Sequence, residues 1–311
     1  MRTLRAEGRA VRGADLKASP FTDRVGSIAD RAFVDACMEG VSAVLHSATL
    51  HKPHIVTHSA RQFVETNLAG TLALLESAAE AGVGAFIFTS TTSAFGRALT
   101  PAPGEPAAWV TEDVVPVPKN IYGVTKAAAE DLCEIVNRKS GLPVLVLRTS
   151  RFFPEADDNP VVRDSYPLDN VQVNELLYRR VDIEDAVSAH LLALEHAAGI
   201  GFARYVISAT TPFAPADLAE LSRDAPAVVR RLFPGFEDLY ARRGWAMFPR
   251  IDRVYVSARA REEIGWRPRH DFGTALARLA AGEDFRSELA AAVGAKGYHD
   301  RLFELGPYPV D

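Results

Sequence analysis

The sequence has few cysteines: Cys37 and Cys133 are the only two in 311 residues, and no C-x-x-C spacing occurs. A disulfide framework or a structural zinc site is therefore not expected, and a reducing, cytoplasmic setting is the default. There is no excess of positive charge. The net charge is −5, so no basic field exists to attract nucleic acid. No apolar run approaches the roughly 20 residues that a membrane-spanning helix needs. The opening residues carry charge throughout and hold no apolar core, so no signal peptide is read and no membrane partner is expected. There is no internal repeat and no low-complexity tract. A glycine-rich turn of the type that cradles phosphate is also missing. The nearest run, "GVGAFI" at 82–87, comes before a predicted strand instead of after one and reads as a helix stop.

What is present is ordinary globular composition, 48% hydrophobic and 24% charged, enough for a large core or two joined domains. Short apolar runs alternate with helical patterns. "GVSAVLHSA" predicts a buried strand at about 41–48. The next run, "RQFVETNLAGTLALLESAAEAG", predicts a helix with Val64, Leu68, Leu72, Leu75 and Ala79 on one face, stopped by Gly82. "AFIFTS" is a strand at 85–90, and the proline-rich stretch after it is mostly loop. "YGVTKAAAEDLCEIVNRKSG" is a helix with Gly141 past its end, and "LPVLVLRTS" is another strand. Strand–helix–strand repetition at this spacing predicts right-handed βαβ units and a parallel sheet, an α/β fold. Beyond Ser150 the pattern loosens. Residues 151–180 read as polar and irregular, "VDIEDAVSAHLLALEHA" as a helix, "ARYVIS" as a strand, and 209–255 as short helices rich in Arg and Pro.

The sharpest chemical signal is "NIYGVTKAAAE". Tyr122 and Lys126 stand four apart, so both project from one helix face. A tyrosine titrates near ~10 and is a poor base at neutral pH. A neighbouring ammonium favours the phenolate and lowers that value, which suits a proton relay for an alcohol that becomes a ketone. "FTSTTSAFG" supplies a hydroxyl at the carboxyl end of the 85–90 strand, the end where open α/β sheets bind ligands. His46, His51, His54 and His58 cluster in "HSATLHKPHIVTH", but their spacing is no closed zinc pattern, and no metal is expected. Arg179–Arg180 and Arg242–Arg243 read as solvated pairs.

These motifs, in this order, resemble the extended short-chain dehydrogenases/reductases, the NAD-dependent epimerase/dehydratase group. "VLHSAT", "ETNLAGTLALLESAAEAGV", "FTSTTSAFG", "VTEDVVPVPKNIYGVTKAAAE", "VLRTSRFF", "RRVDIEDAVSAHLLALE" and "EEIGWRP" carry the likeness. The resemblance implies a Rossmann-like, doubly wound parallel sheet over 1–150, completed by about 181–208 and 256–271. A smaller interleaved substrate lobe and the C-terminal tail would take 151–180, 209–255 and 272–311. It implies Tyr122 as general base and acid, Lys126 as its partner and ribose ligand, and Thr91 as the catalytic hydroxyl. Asp15, Ser27, Ile28, Ser47, Ala48, Thr49, Asn67, Thr89 and Ser150, together with Tyr122 and Lys126, would line the cofactor. The acid at Asp15 favours NAD over NADP, because a 2′-phosphate would be repelled there. Thr92 and Arg151 would meet the substrate. Ser27 stands where the family often has Asp, Phe95 where it has Tyr, and Arg151 where it has Asn. Thr92 and Ser93 replace the acidic pair of the family's sugar dehydratases, and elimination of water needs an acid/base there.

On this resemblance the expected function is hydride transfer on a secondary alcohol of a sugar or nucleotide sugar, as an epimerase or an oxidoreductase. A small-molecule substrate and a homodimer through the helices at about 58–81 and 122–139 are expected with it. The opening "RTLRAEGRAVRGADL" aligns with the end of the family's first helix plus its second strand. The first strand and the glycine turn, on the order of 20 residues, are expected upstream of Met1. Without them the alternative is a cofactor-poor remnant that binds or regulates without catalysis.

Overall fold

The computed structural model describes residues 1–157, 159–295, 297–299 and 303. Eight strands occur among them: β1 (Ala14–Asp15), β2 (Arg24–Val25), β3 (Ala43–His46), β4 (Ala85–Thr91), β5 (Ala108–Val110), β6 (Val144–Thr149), β7 (Phe202–Ile207) and β8 (Arg253–Tyr255). The main sheet has the order β3-β4-β6-β7, while β1 pairs with β2 and β5 with β8 in separate two-stranded ladders. β3 and β4 are parallel, with Ala43 opposite Ala85 and His46 opposite Phe88. β6 is buried along its whole length, as a near-continuous apolar run at a sheet centre should be. The chain divides into two compact units: residues 1–90, 120–147 and 190–204, and residues 91–119, 148–189 and 205–311.

In the first unit, Phe86 and Phe88 of β4 and Val144 and Val146 of β6 turn one face toward helical residues Val34, Leu75, Ala78, Ala129 and Cys133. Alternation along a strand sends every second side chain to that face. The long helix Ile121–Ser140 ends at Gly141, which sits at φ 75°, a left-handed cap that the sequence announces. The helix before β4 departs from the predicted face. It runs as Ala60–Phe63, then a π-turn over Val64–Ala69, then Gly70–Glu80. Gly70 N–H bonds to Glu65 O, five residues back, so one extra residue enters the turn. The face is rotated ahead of that point: Phe63, Asn67 and Thr71 are buried, and Val64 is 42% exposed. β1 and β2 are exposed, and Asp15 lies opposite Val25. Among the described residues β1 pairs only with β2, and β3 only with β4.

In the second unit, the predicted loop 97–120 contributes β5, which pairs with β8 from more than 140 residues downstream, Ala108 opposite Arg253. Gly96 stands at φ 56°, and a Cβ there would lie 2.0 Å from Val117 O, so only glycine fits this close approach. Residues 151–180 are more regular than predicted, with helices at Pro160–Ser165 and Leu168–Glu175. The second hides its periodicity because polar side chains, Asn170, Gln172, Asn174 and Glu175, are buried alongside Val171 and Val173. Asn170 Oδ1 accepts from Ala246 N–H, Asn174 Nδ2 donates to Ala246 O, and Tyr240 OH donates to Asn174 Oδ1. Glu175, fully buried, receives Arg179 at 2.7 Å, Arg180 at 2.8 Å and Arg151 at 3.4 Å. Burial alone would raise its carboxyl. The three guanidiniums outweigh that and hold it at about 2, below the ordinary 4.5.

A carboxylate held low in this way stabilises the fold fully above its unfolded value and loses that contribution as pH falls through about 2. Glu175→Gln is expected to cost about 3–5 kcal/mol at pH 7, because it strands buried cations. Urea unfolding of both forms as a function of pH checks this. The gap should narrow below pH ~4, and an equal gap at pH 7 and pH 3 would show that the charge is not the cause.

Candidate active site

The Ile121–Ser140 helix starts at Asn120, whose Oδ1 accepts from Gly123 N–H at 3.0 Å. That cap satisfies an amide of the first turn and fixes where Tyr122 sits. Tyr122 and Lys126 are each only 2% exposed. Lys126 Nζ donates to Thr89 O at 2.7 Å and stands 3.9 Å from the Phe88 ring centre. The lysine thus reaches from the helix to the carboxyl end of β4. Burial draws its pKa down to about 7, and the buried Glu130 carboxylate one turn further opposes the fall. Glu130 accepts from Ser90 Oγ at 2.5 Å and lies 3.4 Å from Arg204 Nε.

Asn67, in the π-turn, bridges two segments. It accepts from Leu50 N–H at 2.7 Å, and its Nδ2 donates to Leu50 O at 2.9 Å and to Thr125 Oγ1 at 3.2 Å. The segment after β3 is thereby pinned to the helix that carries Tyr122. His51, next in sequence, lays its ring 4.8 Å from the Tyr122 ring at 48°. His46, which ends β3, is buried against Phe86 and Phe88. Burial, with Lys126 adding to it, drives its pKa down to about 3, so it is neutral at ordinary pH. Thr71 Oγ1 gives its hydrogen to Asn67 O, so His46 Nε2 must donate to Thr71 Oγ1 at 2.9 Å.

The remaining positions of the first unit lie as follows. Asp15 is exposed at the end of β1, and its Oδ1 accepts from Lys17 N–H at 2.9 Å. Ser27 and Ile28 are half-buried just past β2, and Ile28 packs so close to Gly70 that a Cβ there would sit 2.7 Å from Ile28 Cγ1. Ser47 is exposed, and Ala48 and Thr49 are half-buried, directly after β3. Thr89 Oγ1 lies 2.8 Å from His190 Nε2. The unit therefore joins Asn67, Thr89, Tyr122 and Lys126 through one set of contacts, and sets Asp15 beside the β2 segment.

In the second unit, Thr91 ends β4, and its Oγ1 accepts from Ser93 N–H at 3.0 Å, capping the 3₁₀ turn Thr92–Phe95. Thr91 and Thr92 are both nearly buried. Ser150 is buried, and its N–H donates to Ile207 O at 2.9 Å. Arg151 bonds to Asp157 at 2.8 Å as well as to Glu175, and Arg179 also reaches Asp157, at 2.9 Å. Arg179 and Arg180 therefore belong to a buried ion network and not to a solvated face. Arg242 and Arg243 are exposed, and Arg243 Nη2 donates to Leu279 O. Among the described residues no group of three His, Cys, Asp or Glu is placed to hold a metal, and no helix is long and apolar enough to cross a membrane.

Sequence reasoning missed Glu130 and His190, and it named His51 only within a histidine cluster. Glu130 was detectable, since it follows Lys126 at the i,i+4 spacing. His190 beside Thr89, and His51 against Tyr122, are contacts between distant segments, and no local spacing signals them.

The chain matches the model of the NAD dependent epimerase/dehydratase family over residues 1–208. It is 30% identical over 282 residues to a dTDP-glucose 4,6-dehydratase of Streptomyces antibioticus, covering 81% of this chain and 73% of that protein. Among solved structures, it resembles an NAD-bound short-chain dehydrogenase/reductase superfamily protein from Agrobacterium tumefaciens, with a TM-score of 0.63 at 23% identity over 90% of this chain and 91% of the other. A UDP-glucose 4-epimerase of Thermotoga maritima, solved with UDP-glucose, gives a TM-score of 0.59 at 21% identity over 88% and 91%. These likenesses show a Rossmann-like α/β fold, and the family match extends through Tyr122 and Lys126. The chain belongs to the NAD dependent epimerase/dehydratase family.

Proposed function

We propose that this chain moves a hydride between a secondary alcohol of a sugar or nucleotide sugar and a nicotinamide cofactor, as an epimerase or an oxidoreductase. The observation that carries this reading is the Tyr122–Lys126 pair, buried on the first two turns of one helix, with Lys126 bonded to the carboxyl end of β4. When bound, the cofactor accepts the hydride and, in an epimerase, returns it. Tyr122 takes the hydroxyl proton as the carbinol carbon loses its hydride, so the C–O bond becomes a carbonyl. The same phenol gives the proton back on reduction. Re-reduction on the opposite face inverts the centre, and release of the ketone makes an oxidoreductase. Lys126 holds positive charge near the phenol, and Thr91 is assigned to orient the substrate oxygen. Thr92 and Ser93 are hydroxyls, so the acid/base that water elimination requires is not supplied there, and the dehydratase chemistry named for the Streptomyces relative is not assigned to this chain.

The residues proposed for a dinucleotide are of the kinds that its two ends need. The exposed Asp15 carboxylate suits adenosine ribose hydroxyls and opposes a 2′-phosphate, which favours NAD. Ser27, Ile28, Ala48 and Thr49 are half-buried and Ser47 is exposed, which leaves them open to a ligand, and Asn67, Thr89 and Ser150 are proposed as further cofactor residues. No glycine-rich turn leads from a strand into a helix N-terminus among the described residues. The second reading is a non-catalytic binding or regulatory protein with weak cofactor affinity. A homodimer is proposed from Val124 and Ile135. They stand eleven residues apart on one face of the Ile121–Ser140 helix and are 49% and 38% exposed, and Val64 of the neighbouring helix is also exposed.

Titration of the chain with NAD and NADP, followed by nicotinamide fluorescence, separates the two readings. The enzyme reading expects NAD to bind at least tenfold more tightly than NADP, in this chain or in a form extended upstream of Met1; no binding of either cofactor by both forms supports the non-catalytic one. Tyr122→Phe is expected to abolish turnover on sugar and nucleotide-sugar substrates while leaving cofactor affinity unchanged, and retained turnover would refute the assigned base. For assembly, sedimentation should show a dimer that Val124→Glu converts to a monomer. A monomeric parent chain would remove the dimer proposal.

A further inference from the structure

Lys126 stands between two groups of its own helix that can carry negative charge. Tyr122 lies one turn before it and Glu130 one turn after it, at the spacing that puts all three on one face. The proposed chemistry uses Tyr122 and Lys126 and leaves Glu130 unused. Glu130 is 1% exposed, and a buried carboxylate is costly unless it is paired. Ser90 and Arg204 hold it: Ser90 Oγ donates to Oε1 at 2.5 Å, and Arg204 Nε lies 3.4 Å from Oε2. Ser90 follows Thr89, whose carbonyl accepts from Lys126 Nζ at 2.7 Å. Two side chains one turn apart on the helix thus grip two consecutive residues of β4. This double grip fixes the Glu130 carboxylate and the Lys126 amine relative to one another.

We propose that Glu130 is a positioning residue that keeps the proton on Lys126 Nζ, so that an ammonium and not a neutral amine stands one turn from Tyr122. The functional meaning rests on Tyr122 as the proton-transfer group. The Thr89 carbonyl and the Phe88 ring face offer Lys126 only partial charges, and burial favours the neutral amine. The titratable and charged groups near the pair include Tyr122 and Cys133 of the same helix, His46 of β3 and Arg204 of β7. Burial pushes the Cys133 thiol up, so it stays uncharged, and His46 is neutral at ordinary pH. Arg204 also meets Glu134 at 2.9 Å and Asp131 at 3.2 Å, so its charge is shared. A helix rises ~1.5 Å per residue, which puts Lys126 about 6 Å along the axis from Tyr122 and from Glu130, and Glu130 about 12 Å from Tyr122. Coulomb energy falls with distance, so the pull of the ammonium on a phenolate exceeds the push of Glu130. Glu130 therefore acts on the phenol through Lys126.

The test reads no turnover. The full chain is labelled with ¹⁵N at lysine Nζ, and Lys126→Met identifies the Lys126 signal. Glu130→Gln removes the charge and keeps an oxygen for Ser90 to donate to. It should lower the Lys126 midpoint by about one pH unit or more. A purely structural role would leave that midpoint in place, because the bond to Ser90 survives. Arg204→Met removes the cation beside Glu130 and should raise the midpoint; it tests the same charge if Glu130→Gln does not fold. A Lys126 midpoint in Glu130→Gln at or above that of the parent chain, or a fall in Arg204→Met, overturns the proposal. Failure of hydride transfer with these shifts intact would count against the proposed function alone.

Discussion

The site depends on one costly placement, a lysine taken out of water. Among the described residues, Lys126 has the Thr89 carbonyl, the Phe88 ring face and the Glu130 carboxylate in place of its hydration. These are too few to hold its pKa at the ordinary value, and it falls to about 7. The consequence is a charge that responds to small changes nearby. A new negative group, such as a phenolate one turn away, draws the proton back onto the amine, and loss of that group releases it. The surrounding structure serves this placement. Phe88 is buried because β4 alternates, Glu130 is tied by Ser90 and Arg204, and the Asn120 cap sets the helix start that puts Tyr122 four residues ahead.

The second unit handles buried charge in the opposite way. Its arginines are matched to carboxylates, so Glu175 is driven well into the ionised range and stays there. Arg151, Arg179 and Arg180 share Glu175, and two of them also share Asp157. Matched pairs of this kind make geometry rigid and leave little charge to respond. One unit thus carries a titratable cation and the other a locked network, and the difference comes from the number of partners around each group.

Much of this was legible in the sequence. The βαβ alternation, the stops at Gly82 and Gly141 and the Tyr122–Lys126 spacing are local signals, and the structure shows each as a local feature. The π-turn was not legible, because one extra residue in a helix leaves no trace in a periodicity averaged over three turns. The helix at Leu168–Glu175 was read as irregular because most of its buried side chains are polar and bond to distant segments, Asn170 and Asn174 to Ala246 and Gln172 to Pro154 O. The pairing of β5 with β8, the spending of Arg151 on Asp157 and Glu175, and the approach of His51 to Tyr122 all join distant segments. Spacing along the chain cannot announce such contacts; they follow from topology.

The ionisation of Lys126 tests the account most directly. Lysine labelled with ¹⁵N at Nζ, with the Lys126 signal assigned by its loss in Lys126→Met, reports the amine's titration in the free protein. The account predicts a midpoint near 7. A midpoint at the ordinary 10.5 would show an ammonium that keeps its full charge, and would contradict the claim that burial makes the charge of Lys126 responsive.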